Sequence, residues 1–377
     1  MERKDLTTWM ALSRIEGVGA EAFHALLSAF GTPEQVFSAP PDRLKAVPGI
    51  GSKTAARIRE FEGWRECERE IALARNAGIT LLRSDASFYP EELRSIFACP
   101  PLLYVKGVLQ ADEVRIAVVG SRRASAYGRY ATQKLCRELA LKGVVVVSGL
   151  ARGIDTAAHE GALSGRGRTV AVLGCGIDVV YPPENGRLYR NITGSGALVS
   201  EYPLGAGPHA KHFPARNRII SGLSLGVVVV EAGEKSGSLI TVRFALEQGR
   251  EVFAVPGAID TAGSKGTHRL IREGATLVES AEDILEEIRP RLSVKNPAPF
   301  RPLALEREKQ HVEPGKPDDA GEEERSVLHH LAGGAGDFDW IVAQTGMSAQ
   351  RTLELLTKLE IDGRVTQLPG KRFTTKE

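Results

Sequence analysis

The sequence predicts an α/β protein built on a doubly wound parallel sheet, with a helical module before it and a winged helix after it. Three observations carry that prediction. Between residues 114 and 289, short apolar runs at 114–119, 144–147, 170–173, 197–199, 227–230, 252–255 and 275–278, interrupted only by Arg115 and Thr276, alternate with helical patterns, as strands buried on both faces do. The segments after those runs are nearly all rich in Gly, Ser or Arg, so they belong to one crevice at the carboxyl edge of a Rossmann-like sheet. On either side, residues 9–61 and 322–377 show helical periodicity with turn signals instead of such runs.

The first segment, 1–66, carries a weak internal repeat. Ile15-Glu-Gly-Val-Gly19 and Val47-Pro-Gly-Ile-Gly51 each precede a helical stretch, a helix-hairpin-helix pattern of the SAM-like kind in which glycines permit positive φ and the next helix offers free N–H groups to an anion. Ser52, Lys53, Arg57 and Arg59 follow the second copy, whereas Ala20 and Glu21 follow the first. Only the second therefore suits a phosphate, and a plain packing module is an equal reading. Residues 67–289 form the sheet domain. It opens with a helix at 68–77 ended by Gly78, a strand at 79–82, a Pro-punctuated stretch and a strand at 102–105, read as elements added to the front of the sheet. Residues 290–321 carry repeated prolines and mixed charge and read as a flexible linker. In 322–377, helices at 323–331, 339–345 and 348–361, the last capped by Ser348, precede a hairpin turning at Pro369-Gly370, which is the winged-helix pattern. Arg351 and Lys358 on its presumed recognition helix face Glu354 and Glu360, so protein docking competes with DNA reading.

Composition bounds the chemistry. With 377 residues and 42% hydrophobic content the chain can bury two or three domain cores. A net charge of +2 is too small for a globally basic protein, so a polyanion site must be a local concentration of charge. Cys67, Cys99, Cys136 and Cys175 are scattered without a CxxC pair, which argues against zinc and disulfides and for a reducing cytoplasm. No stretch approaches the ~18 apolar residues of a membrane span, and a soluble, unexported protein is expected.

Two common nucleotide motifs fail. Gly120-Ser-Arg-Arg-Ala-Ser125 has one glycine where a dinucleotide fingerprint needs three, and Glu234 stands where a Walker A loop needs glycine before Lys235-Ser236. His209 and His212 have no cysteine nearby to complete a metal site. What recurs is a donor set for holding phosphate: Ser121 and Arg122 after one strand, Arg152 in a Gly-rich turn, and Lys235-Ser-Gly-Ser238 before a helix. Lys211, Arg216 and Arg218 surround Phe213 with no acid among them. A ring beside cations suits single-stranded nucleic acid, although a Phe before Pro also serves as a packing residue.

These motifs resemble, in order, those of the DNA processing protein A family (DprA, also called Smf). The resemblance rests on Val119-Gly-Ser-Arg122, Ser148-Gly-Leu-Ala-Arg-Gly-Ile-Asp-Thr-Ala-Ala-His159, Leu173-Gly-Cys-Gly-Ile-Asp178, Tyr181-Pro-Pro-Glu-Asn185, Phe213-Pro-Ala-Arg-Asn-Arg-Ile-Ile-Ser-Gly222, Glu231-Ala-Gly-Glu-Lys-Ser-Gly-Ser-Leu-Ile-Thr241 and Val252-Phe-Ala-Val-Pro-Gly257. It implies a cytoplasmic, non-catalytic protein of natural transformation and recombination. Such a protein binds incoming single-stranded DNA, loads the RecA recombinase, dimerises through the Rossmann-like domain and needs no cofactor. It also implies a DNA pocket made of Ser121, Arg122, Lys211, Phe213, Arg216, Asn217, Arg218, Lys235, Ser236, Gly237 and Ser238, with Lys265 and Gly266 as secondary candidates. The competing reading is a nucleotide or nucleoside-phosphate hydrolase on a related sheet. It lacks a carboxylate in the turn after Ser238, where Thr241, Val242 and Arg243 stand, and Glu201 and Glu231 read as structural acceptors of backbone N–H groups.

Overall fold

A computed structural model describes residues 2–295, 319–331, 336–361, 364–368 and 372–375. Every apolar run becomes a strand. β1 (Ile79–Arg83), β2 (Leu102–Gly107), β3 (Arg115–Val119), β4 (Val145–Ser148), β5 (Thr169–Leu173), β6 (Ala197–Ser200), β7 (Gly226–Val229), β8 (Glu251–Ala254) and β9 (Thr276–Leu277) form one nine-stranded sheet. Its order is β1-β2-β6-β5-β4-β3-β7-β8-β9. β3 to β9 run parallel. The added front elements are a hairpin that extends the sheet antiparallel, β2 against β6 and β1 against β2, so the sheet is mixed rather than wholly parallel.

Alternation along the strands divides the core. Ile116, Val118, Val146 and Val228 pack on one face, while Ala117, Val119, Val147, Val227 and Val229 pack on the other, because successive side chains point to opposite sides. The chain lays β3, β4, β5 and β6 outward in one direction, then returns to place β7 on the opposite flank of β3. The loops after β3 and β7 therefore diverge from adjacent strand ends, and a crevice opens between them.

The helical module confirms the internal repeat. Gly17 and Gly49 take φ of +96° and +84°, and helices Ala20–Phe30 and Ser52–Arg59 start after Gly19 and Gly51 in near-identical extended conformations. The two hairpins pack on each other: Arg57 pairs with Glu16 at 2.8 Å and donates to its carbonyl at 3.1 Å. Arg59 donates to the Phe37 carbonyl at 2.6 Å. The module shares its core with the sheet. Trp9 and Phe23 belong to the same buried cluster as Leu102, Tyr104 and Leu198, Trp9 Nε1 donates to the Pro101 carbonyl at 2.8 Å, and residues 66 and 67 lie within one helix, Trp64–Asn76.

Helix Ala281–Lys295 passes through Pro290, so the first six residues of the expected linker are helical. Arg291 holds this end by donating to the Gly249 carbonyl at 2.8 Å and pairing with Glu251 at 2.5 Å. The remainder of the expected linker lies outside the described residues up to Asp319, where helix Asp319–Leu331 begins. The carboxy-terminal unit has helices Phe338–Thr345 and Ala349–Ile361 and strands β10 (Gly336–Asp337), β11 (Val365–Leu368) and β12 (Arg372–Thr375) in the order β10-β12-β11. Ser348 Oγ accepts from Arg351 N at 3.2 Å, the expected cap. The Pro369-Gly370 turn lies outside the described residues.

Candidate nucleic-acid cleft

The crevice at the β3/β7 switch is an open cleft of about 700 Å³. From the β3 loop come Ser121, Arg122 and Arg123. Ser121 is locked in place: its N–H donates to the Glu231 carbonyl at 2.7 Å and its carbonyl accepts from Ile154 N at 3.1 Å. Arg122 is exposed, and its guanidinium lies 5.2 Å from the centroid of the Phe213 ring, within cation–π reach. Tyr181 approaches the same ring at 5.6 Å and 32°. Gly174 makes this placement possible, since a Cβ there would stand 2.8 Å from Phe213 Cδ1.

The opposite wall is the start of helix Ser238–Glu247, where Ser236, Gly237 and Ser238 line the cleft. Ser236 Oγ and Ser238 Oγ share a hydrogen bond of 2.8 Å. Ser236 Oγ also accepts from Ser238 N at 3.4 Å, and Leu239 N and Ile240 N donate to the Ser236 and Gly237 carbonyls at 3.1 and 3.2 Å, while the positive end of the helix dipole faces the cleft. Asn217 also lines it. Lys211, Lys235 and Lys265 are exposed at or just before helix N-termini, without an ion pair among the described residues.

Three expected contact residues are committed elsewhere. Arg216 is 4% exposed and donates to the carbonyls of Gly149, at 2.8 Å, and Val172. It borders the cleft as a strut tying two strand ends together. Arg218 is turned away and grips Glu201 through both carboxylate oxygens at 2.6 and 2.8 Å. Gly266 is buried; its N–H donates to the Ala232 carbonyl at 2.8 Å, and a Cβ there would crowd that oxygen at 2.6 Å. Arg152 pairs with Glu184.

The acids are engaged as well. Glu231 accepts from Ser125 N at 3.0 Å and Ser125 Oγ at 2.9 Å, at the start of helix Ala126–Leu141, which is the structural role expected of it. Glu201 serves Arg218 rather than backbone N–H groups. Asp155 is the one acid lining the cleft among the described residues. Its Oδ2 accepts from Gly149 N at 3.2 Å and Ala151 N at 3.3 Å, and burial pushes its pKa up against the pull of Arg216.

The family model for DNA recombination-mediator protein A matches residues 80–289, the span that holds the whole cleft. The chain belongs to the DprA/Smf family. Models for the DprA winged helix domain and for a SAM-like helix-hairpin-helix tandem match residues 311–371 and 10–61. Protein Smf of Escherichia coli is 42% identical over 328 residues, 85% of this chain and 84% of that protein. Among solved structures, DprA from Streptococcus pneumoniae aligns with a TM-score of 0.66 at 37% identity, covering 74% of this chain and 97% of that one. DNA processing protein A from Helicobacter pylori, solved for its single-stranded DNA binding mode, aligns with a TM-score of 0.50 at 29% identity, covering 56% and 99%.

In this DprA/Smf chain, sequence reasoning left Tyr181, Asp155 and Arg123 out of the site. Tyr181 stood within a quoted motif, but nothing local shows that a loop 32 residues before Phe213 folds against it. The separation of Arg216 from Arg218 did have a signal: residues two apart on a helix do not share a face.

Proposed function

We propose that the chain binds single-stranded DNA in this cleft and holds it without cutting it, acting in DNA recombination and natural transformation as a loader of RecA. The observation that carries the reading is the Arg122 guanidinium over the Phe213 ring, opposite the start of helix Ser238–Glu247. Arg122 and the positive end of the helix dipole attract phosphate, and the Phe213 and Tyr181 rings offer a sequence-tolerant surface for bases. The Helicobacter pylori relative, studied for its single-stranded DNA binding mode, supports the same ligand. RecA loading, homodimerisation through the Rossmann-like domain and a cytoplasmic location complete the proposal, and family membership is what supports them. Among the described residues no helix is long and apolar enough to cross a membrane.

A non-catalytic role agrees with the carboxylates. Glu201 spends both oxygens on Arg218, and one oxygen each of Glu231 and Asp155 accepts from the protein's own donors, bonding that suits structural acids better than an acid and base paired for attack on a nucleotide. Anisotropy with labelled single and double strands tests the proposal. Phe213→Ala should weaken single-strand binding by about 1–3 kcal/mol with little effect on duplex, whereas equal losses on both would remove the stacking role. Release of base or phosphate from any nucleotide in a panel would instead establish the hydrolase reading.

A further inference from the structure

Helix Ala126–Leu141, whose Ser125 cap stands two residues after the cleft-lining Arg123, presents two tyrosines to solvent. Tyr127 is 56% exposed and Tyr130 is 67% exposed. Three residues apart, they lie on one helix face, and Lys134, four further on, continues the row. The row starts four residues after Arg123, which lines the cleft, is exposed and makes no ion pair among the described residues. Tyr127 is held by its hydroxyl, which donates to the Pro256 carbonyl at 3.2 Å. Neither ring makes an aromatic contact among the described residues. Large rings left in water mark an interaction surface more often than isolated aliphatic residues do.

We propose that a single strand bound in the cleft continues over Arg123 onto Tyr127 and Tyr130, which form a second stacking platform that lengthens the binding site. This rests on the cleft being the single-strand site. Continuity with that cleft through Arg123, which heads the row and is unpaired among the described residues, favours a polyanion carrying planar bases as the occupant; Lys134 at the far end pairs with Glu138 at 3.9 Å. Tyrosine suits this role, because a ring with only two side-chain torsions loses little entropy on ordering. Backbone charge is met by Arg123 while bases stack on the rings, so the extension reads no sequence.

The experiment compares the parent, Tyr127→Ala/Tyr130→Ala and Tyr127→Phe/Tyr130→Phe on oligodeoxynucleotides of roughly 4 to 16 nucleotides, by anisotropy, with thermal melts to confirm folding. The affinity that the parent gains with length should fall on the order of tenfold or more in the alanine variant, as loss of one stacked base predicts, and return in the phenylalanine variant. Strands carrying 5-iododeoxyuridine at successive positions should cross-link to Tyr127 or Tyr130 from sites beyond those that cross-link to Phe213. An unchanged length dependence in the alanine variant, or no cross-link to either tyrosine, overturns the extension. So does conversion of a dimer to a monomer in sedimentation, which would make this face a contact between copies. Arg122→Ala separates the two levels: it should weaken strands of every length, and failure there would fall on the cleft itself.

Discussion

The salt dependence of Arg122→Ala is the sharpest test of the cleft, because it measures charge separately from stacking. Each phosphate contact on a single strand contributes about −0.7 to the slope of log K against log salt. Arg122 is exposed and meets Phe213 at 5.2 Å, so its removal deletes one phosphate contact and one cation–π contact of about 0.5–1 kcal/mol. The slope should become shallower by about 0.7, and affinity at low salt should fall about 5- to 30-fold, or ~1–2 kcal/mol. Between 50 and 200 mM salt the gap between parent and variant should then narrow about 2.5-fold. Phe213→Ala should lower affinity and leave the slope unchanged. Anisotropy titrations of a labelled oligodeoxynucleotide at four or five salt concentrations read both quantities. A slope for Arg122→Ala equal to the parent's would mean that Arg122 meets no phosphate, and the assignment of this loop to the strand would fail.

Arg218→Ala should behave in the opposite way, lowering folding stability by about 1–2 kcal/mol in urea titration because a half-buried Glu201 loses its partner, while single-strand affinity stays at the parent value. Gly153 adopts φ +77°, and a Cβ there would stand 2.8 Å from the Arg122 carbonyl carbon; Gly153→Ala should cost roughly 2–4 kcal/mol and, by displacing the Ser121–Arg122 loop, weaken DNA binding as well. His159 is fully buried with Nδ1 on Thr169 Oγ1 at 2.7 Å, and burial pulls its pKa from 6.5 down to about 3. The folded protein therefore keeps the ring neutral where the unfolded chain protonates it, and stability is lost as pH falls below about 6.5. Between pH 6.5 and 5 the parent should lose about 2 kcal/mol more than His159→Gln in parallel denaturant titrations, and identical pH profiles would contradict a neutral buried ring.

Much of the fold was legible because its signals are local. Largely apolar runs of three to six residues between helical patterns read as strands covered on both sides, and each of the seven predicted between 114 and 289 appears within two residues of its expected ends. The glycine hairpins at Gly17 and Gly49 and the Ser348 cap were equally readable, since the requirement for positive φ or a capping oxygen sits in the residue itself. Helix persistence through Pro290 was not, because it depends on Arg291 reaching back to Gly249 and Glu251.

By itself the sequence determined the order of strands and helices, the end of the sheet that carries the Gly, Ser and Arg loops, and the family to which those loops belong. Tertiary structure decided which charges remain for a ligand. Arg218 is neutralised by Glu201, Arg351 by Glu323 and Lys358 by Glu324, so the winged helix has its two recognition-helix cations answered within its own unit. Arg122 instead finds Phe213, itself packed against Tyr181, and these rings join the β3 loop only when the sheet assembles. The physical reason is that a strand or hairpin is specified by neighbours in the chain, whereas the availability of a cation depends on acids and carbonyls brought to it across the fold.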